Sequence, residues 1–97
     1  MASVTIVKGA NFPNCTCTGS HSWLDHWELF KGIQCRFCRG CLQKTTLKGV
    51  HVLKSGTSDG IQYIVPLCDS CSKNDSKLAI WSYDELVLAV CPPLALG

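Results

Sequence analysis

Hydrophobic and polar residues alternate along three stretches of the chain, and this spacing predicts β-strands. The first stretch, Val4–Val7, is short. The other two, Thr45–Lys54 and Ile61–Val65, flank a run of Ser, Gly, Thr and Asp at positions 55–60 that is typical of a turn. We therefore expect a β-hairpin whose second strand ends at Pro66.

Helical spacing appears once, early in the chain. Trp23, Trp27 and Phe30 recur at i, i+4 and i+7, so one face of a helix carries all three rings. Ser22, with an acidic residue three positions later, predicts the helix start, and Gly32 predicts its end. We expect this aromatic face to be core, with a partner-binding surface as the alternative.

The remaining hydrophobic segment, Leu78–Val90, fits two interpretations. It contains two short candidate strands, Ala79–Ser82 and Leu86–Val90, separated by polar residues. A helix over Tyr83–Val90 competes with them, because two acidic residues near its start suit the first turn of a helix. Positions 72–76 are polar and predict a loop.

Composition changes this picture through cysteine. Eight cysteines among 97 residues exceed what a core of this size normally contains, so we expect them to act as cross-links. Two thiolates in a C-x2-C pair point the same way and share one tetrahedral Zn²⁺, whereas a bond between them would close a small strained ring. The spacing favours zinc over a disulfide scaffold or a redox-active pair. The clusters are Cys15 and Cys17, then Cys35, Cys38 and Cys41, and finally Cys68 and Cys71.

The candidate ligands divide between two sites. Cys15, Cys17 and His26 supply three of the four ligands that a structural zinc needs, and the central cysteine cluster has one to spare. We expect two interleaved sites, in which one central cysteine joins the N-terminal ligands and the others join His51 and the second C-x2-C. Cys91, set among apolar residues, predicts a buried free thiol. The full candidate set for two Zn²⁺ ions is Cys15, Cys17, His26, Cys35, Cys38, Cys41, His51, Cys68 and Cys71.

These motifs resemble those of a family of small, mostly microbial proteins with the pattern C-x-C-G-S-W-L-x-H-W, a cysteine pair, G-A-H-V and Y-I-V-P-L-C-x-x-C/H-N. The matching stretches here are 15–17, Ser22–Trp27, Phe30 with Gly32, Gly49–Val52 and Tyr63–Cys68. The resemblance implies a ligand set of Cys15, Cys17, His26, two central cysteines, His51, Cys68 and Cys71. The chain departs from the pattern at Ser72, where the family has Asn, and in its third central cysteine.

The second half also resembles zinc-ribbon-bearing HNH nucleases, in which a strand histidine precedes C-x2-C-N. In those enzymes the histidine activates water, and a later His or Asn holds the catalytic cation. Here Val50 stands where an Asp or His usually accompanies that histidine, Ser72 replaces the Asn, and no histidine follows His51. We therefore expect His51 to be a zinc ligand or a buried hydrogen-bonded residue.

The formal net charge is +2, and its distribution is uneven. One stretch without acidic residues contains Lys31, Arg36, Arg39, Lys44, Lys48 and Lys54. A basic segment of this kind is typical of a surface for nucleic acid or an acidic partner. Arg36 and Arg39 lie beside cysteine ligands, however, so neutralisation of thiolates explains both arginines without any partner.

Together these features predict one domain over residues 1–97, with zinc ligands within 15–71 and strands within 78–91. We expect a small α+β zinc-bound domain, treble-clef or HNH-like, with one N-terminal helix, a β-hairpin and short strands. The expected function is non-enzymatic binding of nucleic acid or protein through a zinc-pinned surface. The alternatives are a protein-interaction adaptor without nucleic-acid binding and a degenerate HNH-type endonuclease. The sequence shows no signal peptide or membrane-spanning apolar run, which favours an intracellular protein over a secreted one after signal removal.

Overall fold

The computed structural model describes residues 2–7, 22–73 and 77–90, which form five strands and two α-helices. In chain order the elements are β1 (Ala2–Ile6), α1 (Trp23–Lys31), β2 (Leu47–Lys54), β3 (Tyr63–Cys68), α2 (Asp69–Ser72), β4 (Lys77–Ile80) and β5 (Val87–Leu88). All strand pairs are antiparallel, and the order across the sheet is β4-β1-β2-β3-β5. The predicted α+β class is confirmed, but one helix was expected and two are present.

Helix α1 begins and ends where the sequence predicts. The hydroxyl of Ser22 accepts a hydrogen bond from the N–H of Asp25 at 3.4 Å. Gly32 adopts a left-handed φ of 71°, and its N–H donates to the carbonyl of Glu28 at 2.9 Å. Because a residue with a Cβ is disfavoured at this φ, the glycine determines where the helix stops.

Only part of the aromatic face of α1 is core. Trp27 is 1 % exposed and packs beside Ile64 of β3, and its indole N–H donates to the carbonyl of Glu85 at 2.7 Å. Trp23 is half-buried, whereas Phe30 in the last turn is 47 % exposed. Phe30 lines an open groove with Leu88 of β5, because a strand of two residues is too short to cover the ring.

Strands β2 and β3 form the predicted hairpin. Their register runs from Leu47 opposite Cys68 to Val52 opposite Tyr63. Successive side chains point to opposite faces of a strand, and both His51 and Val52 are buried. The sheet is therefore covered on both faces at its centre, with α1 on the His51 side.

Gly49 allows α1 to approach β2 closely. A Cβ at this position would lie 2.5 Å from the backbone carbonyl carbon of Trp23 and 2.6 Å from the backbone nitrogen of Leu24. Such distances are far below van der Waals contact, so a larger residue would push the helix off the strand. The glycine thus fixes the separation between helix and sheet.

Strand β3 continues through Pro66, where the sequence analysis placed its end. The carbonyl of Pro66 accepts a hydrogen bond from the N–H of Arg39 at 3.0 Å, so this residue turns its backbone polar groups away from β2. A proline in that position removes no hydrogen bond from the β2–β3 ladder. On this side of β3, the short β5 pairs only with Tyr63 and Ile64.

Helix α2 occupies a stretch that the sequence did not predict as helical. It has four residues, and the thiol sulfur of Cys68 caps it by accepting from the N–H of Cys71. Helix α1 has nine residues. Within the described ranges, no helix has the length and apolar character needed to cross a membrane.

The C-terminal segment combines parts of both sequence interpretations. Both predicted strands are present: β4 has the predicted length but begins two residues earlier, at Lys77–Ile80, and β5 is shorter than predicted, at Val87–Leu88. A single 3-10 turn at Tyr83–Glu85 lies where the alternative helix was expected to begin. β4 and β5 lie at opposite edges of the sheet, so this segment passes from one edge to the other.

Candidate metal centre

Four cysteines from distant parts of the chain come together at one end of the β2–β3 hairpin. Cys38 and Cys41 belong to the loop between α1 and β2, Cys68 ends β3, and Cys71 lies in α2. Their sulfur atoms all lie within 4.8 Å of one another. All four are free thiols.

The spacing of the sulfurs agrees with a tetrahedral metal site. The Sγ atoms of Cys41 and Cys68 are 3.8 Å apart. With Zn–S bonds of about 2.3 Å, two sulfurs of a regular tetrahedron are separated by about 3.8 Å. A disulfide would require about 2.05 Å. The cluster is therefore sized for an ion at its centre.

The first ligand pair lies on a turn closed by backbone hydrogen bonds. The N–H of Cys38 donates to the carbonyl of Gln43 at 2.9 Å, and the N–H of Leu42 donates to the carbonyl of Cys38 at 2.8 Å. An isolated antiparallel bridge between Phe37 and Lys44 lies just outside these bonds. Leu42 completes the turn with a φ of 64°, a left-handed value that is uncommon for leucine.

Backbone N–H groups point at the sulfurs of Cys38 and Cys68. Those of Gly40 and Cys41 lie 3.3 and 3.5 Å from the sulfur of Cys38. At the start of α2, the N–H of Cys71 lies 3.5 Å from the sulfur of Cys68. Hydrogen bonds of this kind stabilise negative charge on sulfur and so favour the thiolate, the form that binds metal.

The thiols influence one another's ionisation. Burial raises the pKa of Cys38, but hydrogen bonds from surrounding backbone groups outweigh burial and lower it to about 7. The pKa of Cys71 is raised, first by burial and then by Cys38 and Cys68. A backbone hydrogen bond at Gln43 lowers the pKa of Cys41, but burial and the thiols of Cys38 and Cys68 raise it overall. Ionisation of one thiol therefore makes ionisation of the next less favourable, and a divalent cation between them would remove this repulsion.

Gly40 makes room for the cluster, although the sequence analysis did not single it out. A Cβ here would lie 3.0 Å from the sulfur of Cys71 and 3.2 Å from Cδ2 of Leu78. A glycine between the two cysteines of a ligand pair is the signal that would have identified this position, because the pair must approach other side chains closely. The centre thereby packs directly against β4.

Cys35, the first of the three central cysteines, lies outside the cluster. Its side chain is buried beside Trp27 and Ile64, and its thiol donates to the carbonyl of Phe37 at 3.2 Å. Its N–H donates to the carboxylate of Glu28 at 2.8 Å. Of the central cysteines, the structure brings only the last two together with Cys68 and Cys71.

The candidate histidines His26 and His51 lie in a separate contact between α1 and β2. The ring of Trp23 meets both of them edge-on, with centroid distances of 4.9 Å in each case. Nε2 of His26 is 2.8 Å from the carbonyl oxygen of Leu88. Burial, and then the charge of His26, lower the pKa of His51, which favours its neutral form. A neutral imidazole is the form that binds metal.

Three sequence predictions concern residues beyond the described part of the chain. These are the metal ligands Cys15 and Cys17 and the free thiol Cys91. The four-cysteine cluster consists of two complete C-x2-C pairs. Among the described candidate ligands, neither His26 nor His51 belongs to it.

Two members of the predicted basic stretch bind the segment after β4. The ammonium group of Lys31 donates a hydrogen bond to the carbonyl of Asp84. Nε of Arg39 lies 3.1 Å from the Glu85 carboxylate, and its guanidinium carbon lies 5.6 Å from the centre of the Trp27 ring. These basic side chains therefore hold α1 and the cysteine loop to the 3-10 turn.

Two further lysines also have partners within the protein. Nζ of Lys48 lies 3.3 Å from the Asp69 carboxylate. Nζ of Lys54 lies 4.9 Å from the ring centre of Tyr63 and 5.1 Å from that of Tyr83. Cation–π contacts of this kind are weakly stabilising at exposed sites. Most side chains of the predicted basic stretch thus contact groups within the protein itself.

No family model matches the chain, and neither the curated proteins nor the solved structures include a match. The fold and the cluster by themselves define the class: a small α+β protein with a five-stranded antiparallel sheet and a four-cysteine centre. That centre is able to hold one metal ion.

Proposed function

We propose that the protein is a non-enzymatic binding module whose fold depends on one structural Zn²⁺ held by Cys38, Cys41, Cys68 and Cys71. The 3.8 Å separation of the Cys41 and Cys68 sulfurs carries this proposal, because it equals the edge of a zinc–thiolate tetrahedron. Four thiolates fill the coordination shell of zinc and leave no position for a substrate or water. Such closed sites are typical of structural zinc.

We also propose that the site is a treble clef. The order of its parts supports this: a ligand pair on a turn, then the β2–β3 hairpin, then a second ligand pair whose last member lies in the first turn of α2. The hairpin register places Leu47, which follows the first pair, opposite Cys68. Both pairs are thereby delivered to the same end of the hairpin.

Elemental analysis of reduced, purified protein tests the cysteine centre. Cys68→Ser should abolish binding at this centre, and tetrahedral thiolate absorption should appear when Co²⁺ replaces zinc in the unmodified chain. Cys35→Ser is the matched control, since this thiol is buried but outside the cluster. Metal-free protein, or equal loss of metal in both variants, would overturn the proposal.

A second Zn²⁺ is the finer part of the proposal, with Cys15, Cys17, His26 and His51 as its ligands. Two hydrogen bonds support it. The N–H of Val7 donates to the carbonyl of His51, and the N–H of His26 donates to the carbonyl of Ser22, both at 3.0 Å. Val7 and Ser22, the described residues on either side of the stretch that contains Cys15 and Cys17, are therefore each held beside one of these histidines.

The hydrogen-bond geometry of His26 also fits a ligand role. Its Nε2 faces the carbonyl oxygen of Leu88, so that nitrogen carries the proton and the tautomer is fixed. Histidines that bind metal usually donate their other ring N–H to a carbonyl or carboxylate in this way. His26→Gln should reduce the zinc content from two ions per chain to one by removing the second site. Cys68→Ser should also reduce the zinc content, by removing the four-cysteine site. One ion per chain in both the unmodified protein and His26→Gln would refute the second site.

For the partner of the module, we propose a protein surface in preference to nucleic acid. Four of the six residues of the basic stretch have partners inside the protein, and Arg36 and Lys44 are the two for which the described contacts give none. Two exposed charges give little counterion release, the main source of nucleic-acid affinity. Salt-dependent binding of DNA or RNA that is lost in Arg36→Glu/Lys44→Glu would reverse this choice.

The position of His51 favours binding over catalysis. Its side chain is only 6 % exposed and meets the Trp23 ring edge-on, whereas a general base must reach the proton it removes. We therefore expect no plasmid nicking with added Mg²⁺. Nicking that His51→Ala abolishes, with zinc content unchanged, would establish a nuclease instead.

A further inference from the structure

Strand β4 forms one edge of the sheet and carries an unusually exposed aromatic residue at its end. β4 pairs with β1 on one side, and no described strand lies on the other. Leu78 and Ile80 point into the core, whereas Lys77 and Ala79 point outward. Trp81 follows directly and is 76 % exposed, the highest value among the large hydrophobic residues of the described chain.

A second exposed hydrophobic residue lies beside this edge. Leu42, on the cysteine turn, is 60 % exposed and lines a groove with Ala79 and Trp81. Its left-handed φ of 64° is strained for leucine, where glycine or asparagine would be relaxed. An exposed leucine in a strained conformation and an exposed tryptophan are both unfavourable in an isolated chain. A surface that covers both side chains would remove their apolar area from water.

We propose that this edge binds the same edge of a second copy of the chain, with the two β4 strands antiparallel about a two-fold axis at Ala79. In this register Lys77 lies opposite Trp81 of the second copy, and Leu78 lies opposite Ile80 of the second copy. The two five-stranded sheets then continue as one. This interaction goes beyond the zinc-dependent binding role and does not require it.

The sequence of the edge is complementary to itself in that register. Each lysine ammonium meets the π face of an indole, and this charge-complementary contact occurs twice by symmetry. The aliphatic part of Lys77 covers the ring, and small Ala79 side chains meet at the axis. Centring the pair on Leu78 instead would leave both Trp81 rings uncovered.

Sedimentation velocity on the zinc-loaded protein, from micromolar concentrations up to about 1 mM, tests the inference. We expect a reversible monomer–dimer equilibrium. Trp81→Ala and Lys77→Glu should each weaken dimerisation at least tenfold, and Ala79→Asp should abolish it by placing two like charges at the axis. Leu88→Ala, at the opposite edge and 50 % exposed, is the matched control and should dimerise normally.

Zinc content and circular dichroism of every sample separate this result from failure of the metal centre. A monomer at all concentrations with native zinc content would refute the inference. So would a dimer that persists in Ala79→Asp, because the contact would then lie elsewhere.

Discussion

The four-cysteine cluster and the contact between α1 and β2 join distant parts of the chain in opposite ways. In the cluster, four similar side chains meet within 4.8 Å and repel once ionised, so a cation between them would supply the attraction. In the helix contact, Gly49 admits the backbone of α1, and the Trp23 ring packs against two histidines. The cluster therefore needs a cation to offset the repulsion of its thiolates, whereas the helix contact already has close packing between α1 and β2.

The largest expected effect is loss of the metal. A structural zinc contributes on the order of 10 kcal/mol to folding, which matches or exceeds the net stability of a typical domain. A strong chelator should therefore remove both the sheet and α1 signals in circular dichroism, and added zinc should restore them. If α1 and the β2–β3 hairpin kept their amide protection from hydrogen exchange without metal, the helix contact would be the stronger of the two regions.

Gly49→Ala should cause the next largest loss, because its Cβ would overlap backbone atoms of α1 that cannot rotate away. We expect the free energy of unfolding to fall by about 3 kcal/mol. Gly60→Ala is the control: nothing lies within 4 Å of its Cβ, but its φ of 71° costs a side chain about 1 kcal/mol. Chemical denaturation of the zinc-loaded proteins measures both. An equal loss of unfolding free energy in the two variants would mean that α1 can move away from β2 at little cost.

Acid should destabilise the helix contact through His51. Its folded-state pKa is lowered by burial and by His26, so the unfolded chain takes up this proton more readily than the folded protein. The stability from this residue is therefore lost as the pH falls through the ordinary pKa of 6.5 and below. His51→Gln should lower stability at pH 7 and reduce its dependence on pH between 7 and 5. An unchanged slope would assign the acid sensitivity to the thiolates alone.

The smallest effect concerns the strain in the cysteine turn. Leu42→Asn should raise the stability of the monomer by about 0.5 kcal/mol, because asparagine tolerates the left-handed conformation and the leucine side chain is largely exposed. Thermal unfolding at low protein concentration measures this change. A clear loss of stability would show that Leu42 packs against the cluster more tightly than its exposure suggests.

The local elements were predictable from sequence because characteristic residues mark where each one begins or ends. Ser22 and Gly32 mark the ends of α1, and the turn residues at 55–60 mark the hairpin. The predicted end of β3 was wrong because the direction of the Pro66 backbone depends on its partner Arg39, which is far away in the sequence. Helix α2 was missed because four residues carry no helical periodicity, and its cap is a cysteine thiol.

The sequence did not show which of the three central cysteines would join the second C-x2-C pair. Spacing showed that thiols occur in pairs, but three central cysteines offered more than one pairing. The choice is made by tertiary packing: in the loop after α1, the side chain of Cys35 packs in the core beside Trp27, whereas Cys38 and Cys41 join the cluster. The exposure of Phe30 could not be predicted either, because it depends on tertiary packing: the length of β5 decides whether the ring is covered.

The pairing of Leu47 with Cys68 means that the register of the hairpin positions the two ligand pairs relative to each other. The residues that pair along β2 and β3 determine how Cys68 is placed beside the first ligand pair, and the turn at 55–60 lies at the other end of the hairpin. Length variation at the tip is therefore of little consequence for coordination, whereas one residue gained or lost within either strand would turn the ligand side outward.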